Sequence, residues 1–98
     1  MLQVTTTLDG RLALLGDLDI KTAPALEAVL AQLDGQGDVD LSGVTFFDSS
    51  ALRTFFVCRK RNANLRIVNP SNPVVRVLEI TGMLDYFVHG GELDEVDR

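Results

Sequence analysis

Short apolar segments alternate with longer segments of helical periodicity along this 98-residue sequence. The predicted strands are residues 2–7, 11–15, 38–41, 65–68 and, as a short last strand, 87–88. The predicted helices are residues 23–33, 49–61 and 73–81, with apolar side chains spaced three or four positions apart. The resulting order, β-β-α-β-α-β-α-β, is typical of an α/β domain in which the later strands are parallel.

Turn and cap residues separate these predicted elements. Asp9-Gly10 predicts a tight hairpin between the first two strands, because glycine tolerates the positive φ that such turns require. The stretch 16–19 is expected to end the second strand. Thr22 and Asn72 are expected to cap the first and third helices, and Gly82 is expected to end the third.

A chain of this length has room for one domain, because domains typically contain about 100–150 residues. We expect that domain to span residues 1–98, with its core within 2–88 and an acidic tail at 90–98. The net charge of −5 and the pI of about 4.6 disfavour nucleic acid as a direct partner, because such binding depends on Lys and Arg contacts to phosphates. The same charge disfavours an anionic membrane surface.

The sequence also predicts a cytoplasmic location. Residues 1–7 contain neither the basic nor the apolar region of a signal peptide, and no segment approaches the roughly 18 apolar residues of a membrane span. Cys58 is the single cysteine, which excludes an intramolecular disulfide and a cysteine-based metal cluster. We expect no metal and no cofactor, and we interpret His89 as a surface residue and Cys58 as a packed one.

The most informative stretch is residues 39–52, where a strand and a loop lead into the second helix. Asp48 is a good N-cap, because its carboxylate can accept hydrogen bonds from the first free N–H groups of the helix. Ser49 and Ser50 then lie in the first helical turn, where another protein can reach them. Residue types alone leave two interpretations open: a phosphorylation site or a simple capping sequence.

The stretch 39–52 resembles the signature of the STAS family, the anti-sigma factor antagonists of bacteria, in which Asp-Ser-Ser-Gly-Leu opens a helix. Residues 16–19 are similar to the family's Gly-Glu-Leu-Asp, and residues 69–82 to its final loop and helix. The resemblance covers residues 2–88. It implies a single STAS-like α/β domain, with a mixed sheet of four to five strands and helices mainly on one face. Ala51 stands where the family has Gly, and Asp17 where it has Glu.

The resemblance implies a partner-switching function. The unphosphorylated protein would bind an anti-sigma factor, which is a serine kinase of the GHKL type, and would thereby release a sigma factor. That kinase would phosphorylate Ser49, directly after Asp48, and a serine phosphatase would reverse the modification. Ser50 and Asp17 would support the site. The protein would then be a bound regulator rather than an enzyme.

The second helix also has a predicted docking side. Three residues form its predicted core side: Leu52, Phe55 and Phe56. Arg53, Val57 and Lys60 point away from them, and we interpret Arg53 and Val57 as partner contacts beside Ser49. The alternative is a solvated face that contains one isolated valine.

Two other functions remain open from the sequence. A receiver-like phosphoacceptor domain or small α/β enzyme would need paired acids, a central Asp and a Lys near the last strand, but the last lysine is Lys60. The other alternative keeps the fold without the kinase: a non-phosphorylated STAS module that binds a small ligand or belongs to a larger signalling complex.

Overall fold

The computed structural model describes residues 1–33 and 37–89, and the predicted acidic tail at 90–98 lies outside these residues. The strands are β1 (Leu2–Thr6), β2 (Leu12–Leu18), β3 (Asp38–Phe47) and β4 (Arg66–Val68). The helices are α1 (Ala23–Ala31), α2 (Ser49–Arg61), α3 (Asn72–Thr81) and α4 (Leu84–Phe87). The predicted α/β class is confirmed.

The strands of the described residues form one mixed sheet in the order β1-β2-β3-β4. β1 and β2 are the predicted antiparallel hairpin, which turns through Gly10 at φ 85°. β2 pairs in parallel with β3, and β3 in parallel with β4. β2 and β3 therefore end at the same edge of the sheet, and the loops that follow them lie side by side.

β3 is longer than predicted and contains two irregularities in its pairing with β2. Its buried apolar residues are Val39, Leu41, Val44 and Phe47, so the steps from Leu41 to Val44 and from Val44 to Phe47 are three residues instead of two. The pairing register shifts at both of these points, as expected for β-bulges, which add one residue to a strand. The bulges allow a ten-residue strand to keep its apolar side chains on the core face.

β2 also extends past the predicted break. Gly16 adopts φ 93° and still pairs with both neighbouring strands, opposite Leu2 of β1 and Val44 of β3. A β-carbon at Gly16 would lie 1.9 Å from the carbonyl oxygen of Met1. The glycine therefore continues the strand where the sequence predicted its end, because only glycine allows the backbone of β1 to approach so closely.

The predicted last strand at 87–88 is wrong. Residues 84–87 form α4, and the N–H groups of Phe87 and Val88 donate to the carbonyls of Met83 and Leu84. Phe87 is fully buried, and its ring centroid lies 6.1 Å from that of Phe55. Two β-favouring residues are too short a run to distinguish strand from helix, and burial against Phe55 decides the outcome.

The helices pack over the inward side chains of the strands. Leu26 and Leu30 of α1, Phe55 of α2, and Val74 and Leu78 of α3 are all buried in the same apolar cluster as β2 and β3. No helix of the described residues is both long and apolar enough to cross a membrane.

Two of the predicted caps differ in detail. Thr22 precedes α1, but its side chain makes no capping hydrogen bond to the helix. Ser71, rather than Asn72, is the residue that precedes α3. Gly82 ends α3 as predicted, in the left-handed conformation at φ 74°.

Candidate functional site

The junction of β3 and α2 is organised by Asp48. Its backbone is extended, and its side chain accepts hydrogen bonds from the N–H of Ser50 at 2.9 Å and of Ala51 at 3.2 Å. Its own N–H donates to the carbonyl of Leu18 at 3.3 Å, which joins the start of α2 to the end of β2. The predicted N-cap is confirmed.

The two serines after Asp48 differ in accessibility. Ser49 is exposed, whereas Ser50 is half-buried. The carbonyl of Ser50 accepts a hydrogen bond from the Thr54 hydroxyl at 3.0 Å, one turn further along the helix. Of the two hydroxyls, that of Ser49 is therefore the easier for a partner protein to reach.

Ala51 is fully buried in the core. The family signature has glycine at this position. The additional methyl group of Ala51 points into the protein and not onto the surface around Ser49. The departure therefore leaves the exposed surface at the start of α2 unchanged.

The outward side of α2 carries the predicted docking residues. Ser49, Arg53, Val57 and Lys60 follow one another at spacings of four, four and three, so they lie along one side of the helix. Arg53 is exposed and has no hydrogen-bond or ion-pair partner among the described residues. Val57 is 36% exposed, which is high for an apolar residue of a helix that packs on a core. We use the name "α2 outer face" for these four residues.

Asp17 lies near the end of β2, opposite Phe46 of β3. Its carboxylate accepts a hydrogen bond from the Thr45 hydroxyl at 3.1 Å. Among the described residues it makes no hydrogen bond to Asp48 or Ser49, so its place is on the neighbouring strand rather than in direct support of the serine.

The loop between β2 and α1 is held by Asp19. One carboxylate oxygen accepts hydrogen bonds from the N–H groups of Lys21 at 2.9 Å and Thr22 at 3.0 Å. The hydrogen bond from Thr22 is the main reason that the pKa of Asp19 lies below its usual value. This turn fixes the loop that runs beside the start of α2.

Two apolar residues at this edge of the sheet were not predicted as functional. Ile20 in the β2–α1 loop is 72% exposed, and Phe46 near the end of β3 is 49% exposed. Both lie close in sequence to strand ends that share an edge with Ser49. The sequence signal that could have identified Ile20 is its place as an isolated apolar residue between Asp19 and Lys21, where no periodic pattern requires one.

Asp40 is the buried charged residue of the described part of the chain. It accepts hydrogen bonds from the N–H and hydroxyl of Ser42, at 2.8 and 2.7 Å, and from the Asn69 side chain at 3.0 Å. Burial raises its pKa, but the hydrogen bonds from Asn69 and Ser42, with the charge of Arg11, together bring the pKa below its usual value. These partners give Asp40 a structural role within the sheet.

The two remaining side chains that could be reactive, a cysteine and a histidine, lie in ordinary structural environments. Cys58 is buried, and burial raises the pKa of its thiol, as does the nearby charge of Glu27. His89 is exposed, with its Nδ1 atom 2.8 Å from the Asp85 carboxylate. In residues 1–33 and 37–89 no three His, Cys, Asp or Glu side chains are grouped to hold a metal.

Comparison with known proteins connects this geometry to a family. The family model described as "Mlab, STAS domain" matches residues 2–89. Anti-sigma-B factor antagonists of Staphylococcus aureus and Staphylococcus epidermidis are 36% and 33% identical over 90 residues, covering 84% of this chain and 82% of each relative. The crystal structure of an anti-sigma factor antagonist from Mycobacterium paratuberculosis superposes with a TM-score of 0.69 at 25% identity, covering 89% of this chain and 81% of that one.

Proposed function

Because this chain belongs to the STAS domain family, we propose that it acts as an anti-sigma factor antagonist that is controlled by phosphorylation. In its unphosphorylated state it binds an anti-sigma factor, a serine kinase of the GHKL type, and so releases a sigma factor. Phosphorylation of Ser49 by that kinase ends the binding, and a serine phosphatase restores it.

One observation carries this proposal: Ser49 is exposed at the first position of α2, directly after the Asp48 cap. The α2 outer face begins at this serine and continues through Arg53 and Val57. A partner that docks along this face therefore contacts the serine hydroxyl as part of its interface. The same contact brings a kinase to its substrate.

The start of α2 suits a phosphate group. The first turn of a helix has free N–H groups and the positive end of the helix dipole, which favour an anion. Arg53 lies one turn after Ser49, at the i+4 position, where a cation can pair with the phosphate. The domain should therefore remain folded when Ser49 is modified.

The loss of binding arises at the interface. A phosphate adds about −1.5 to −2 charges at neutral pH. Burying such a charge against a partner without compensation costs several kcal/mol, and a loss of about 3 kcal/mol weakens binding roughly a hundredfold. This is sufficient to release the partner without unfolding either protein.

In this proposal the chain is a bound regulator and not an enzyme, and the kinase supplies the chemistry. Phosphate transfer from ATP to Ser49 requires a kinase in the same compartment, so the proposal places the protein in the cytoplasm.

The test is to map phosphorylation by mass spectrometry after incubation with the anti-sigma partner and ATP. We expect phosphate on Ser49 in the wild type and in Ser50→Ala, and none on Ser49→Ala, which should bind the partner permanently. The serine phosphate should also survive hydroxylamine at neutral pH, which cleaves the acyl phosphate of a receiver-like domain. Phosphate on Ser50 alone, or equal labelling of Ser49→Ala, would contradict the assignment.

A second function is favoured by the description of the matching family model, which names the Mlab STAS domain rather than an antagonist. Under this alternative the chain is a binding module, for a small ligand or a larger complex, that is never phosphorylated. The same experiment separates the two functions. Partner binding with no label on any serine, and no loss of binding in Ser49→Glu, would favour the module.

A further inference from the structure

Helix α2 is strongly basic in a chain that is acidic overall. Its sequence, SSALRTFFVCRKR, contains four cations and no aspartate or glutamate. The whole chain has nine Lys and Arg against fourteen Asp and Glu, so nearly half of its cations lie on this one helix. Two of them, Arg53 and Lys60, belong to the α2 outer face.

These two cations have no anionic partner within the described part of the chain. Arg61 pairs with Glu27 at 3.5 Å, but no carboxylate lies within ion-pair distance of Arg53 or Lys60. Both side chains are exposed. The Lys60 ammonium lies 5.1 Å from the centroid of the Phe56 ring, which borders the α2 outer face. An anionic group can therefore approach both cations from outside.

The described chain ends beside the same helix. Tyr86 of α4 packs against α2, with its ring centroid 5.8 Å from that of Phe56 and 4.3 Å from the guanidinium of Arg59. The N–H of His89 donates to the Asp85 carbonyl at 3.1 Å, so the helical turn continues to the last described residue. The acidic tail at 90–98 therefore begins about one turn after a residue that contacts α2.

The acidic tail has the charge and the length to reach these cations. It contains four carboxylates, at Glu92, Asp94, Glu95 and Asp97. An extended chain advances about 3.3 Å per residue, so residues 90–97 can span about 26 Å. Lys60 and Arg53 are seven helical positions apart, which corresponds to about 10 Å along α2.

We propose that the acidic tail binds the α2 outer face of its own chain, with its carboxylates beside Lys60 and Arg53. Val57 lies between these two cations, so the bound tail covers the face at which the anti-sigma partner would dock. The tail therefore competes with that partner. The competition rests on the proposed function, whereas the contact between tail and helix does not.

Attachment to the same chain favours the tail as the occupant. A short linker gives a tethered group an effective concentration in the millimolar range, so ion pairs that are weak individually can hold it. A second copy of the chain lacks this advantage and is repelled by the net charge of −5. Because exposed charges are screened, the contact should be lost at high ionic strength.

The test is paramagnetic relaxation in the protein alone. A nitroxide label at Val96→Cys, in a Cys58→Ala background, has a single attachment site and leaves all four tail carboxylates in place. We expect enhanced relaxation of the amides of Arg53, Val57 and Lys60 at low salt. The enhancement should fall at least about threefold in 1 M NaCl, where the Debye length is about 3 Å.

Two matched pairs of substitutions test the role of the tail charges. Asp94→Asn with Glu95→Gln should reduce the enhancement at least about twofold, because half of the carboxylates are lost. Asp9→Asn with Glu79→Gln removes the same charge from the β1–β2 turn and α3 and should leave the enhancement unchanged. Amide shifts of α2 in protein that retains Cys58 supply a second measurement and should change only with the tail pair.

Partner binding tests the consequence. The tail pair should bind the anti-sigma partner at least about threefold more tightly than wild type, and the control pair should bind like wild type. Equal affinities of the two pairs would overturn the competition. Absence of partner binding by every variant would contradict the proposed function, while the relaxation results on the free protein would still decide the contact.

Three results would overturn the contact itself. The first is no enhancement at residues 53–60 at low salt. The second is enhancement around Arg76 of α3 instead, which would place the tail on another exposed cation. The third is equal enhancement in a mixture of labelled protein and isotope-enriched protein without the label, which would show that the tail reaches a second copy.

Discussion

At the scale of single residues, the candidate site depends on Asp48, whose carboxylate holds the first turn of α2 in place. The same residue donates its N–H to Leu18, so its backbone and its side chain join two elements. The position of the Ser49 hydroxyl is thus set by its neighbour. Replacing Asp48 therefore tests both the fold and the site.

Asp48→Ala should reduce the free energy of unfolding by about 1 kcal/mol, because the N–H groups of Ser50 and Ala51 lose their acceptor. It should also weaken partner binding, since Ser49 loses its fixed position. Urea denaturation and a binding titration measure the two effects. Asp48→Asn is the control, because asparagine caps helices about as well as aspartate and should lose much less stability. Equal stability of Asp48→Ala and wild type would disprove the capping role.

At the scale of elements, β3 contains a buried aspartate and also leads directly into the candidate site. Asp40 of β3 accepts a hydrogen bond from Asn69, which follows β4 and adopts a left-handed φ of 50°. The carboxylate therefore joins β3 to the loop before α3. This link depends on the charge of Asp40, which makes it sensitive to pH.

The folded-state pKa of Asp40 lies below its usual value, so its contribution to stability has a definite sign. The contribution is complete above the unfolded pKa of about 3.9 and is lost as pH falls through the lower folded pKa. We expect Asp40→Asn to be less stable than wild type at pH 7 and to lose less stability between about pH 5 and pH 2. Urea denaturation across this range measures the difference. Parallel losses in both proteins would show that Asp40 does not contribute.

The α2 outer face gives a second prediction at this scale. Val57→Asp should leave the fold intact and abolish binding to the anti-sigma partner, because a charge would be buried in an apolar contact. Ile80→Asp, the same kind of change on α3, should bind normally. Circular dichroism and a binding titration compare the two variants. Unfolding of Val57→Asp would instead place Val57 in the core.

At the scale of the whole molecule, the proposed switch changes the binding to the partner and leaves the fold of this protein unchanged. Protein phosphorylated on Ser49 should be at least as stable to urea as the unmodified protein, because the helix start and Arg53 accommodate the anion. Amide chemical shifts should change around α2 and the β2–α1 loop and little elsewhere. Arg53→Ala is the control and should remove any gain in stability. Global unfolding on phosphorylation would contradict this mechanism.

The sequence predicted features that depend on neighbours along the chain. The hairpin at Gly10, the Asp48 cap and the end of α3 at Gly82 each follow from a few adjacent residues. The lengths of β2 and β3 did not follow, because they depend on pairing between strands. Gly16, for example, is held in the sheet by strands on both sides. The helical state of Phe87 depends on contact with Phe55, which is distant in sequence.

The features of the candidate site were likewise predictable from the sequence only where they depend on neighbours along the chain. Asp48 and Ser49 were predictable from their order in the chain, and the exposed side of α2 from its periodicity. The exposure of Ile20 and Phe46 was not, because it depends on which loops and strand ends share an edge of the sheet. The position of Asp17 beside Thr45 is likewise set by pairing between strands.

The bulges of β3 bear on how the length of such a chain can change during evolution. Val39, Leu41 and Val44 face the core, with one extra residue between the last two. Deleting one residue at 42–43 would restore strict alternation and keep all three side chains inward. A deletion between Val39 and Leu41 would instead turn one of them outward. Insertions and deletions among relatives should therefore accumulate at the bulges, and the Asp-Ser pair that follows β3 can keep its place while the strand before it varies in length.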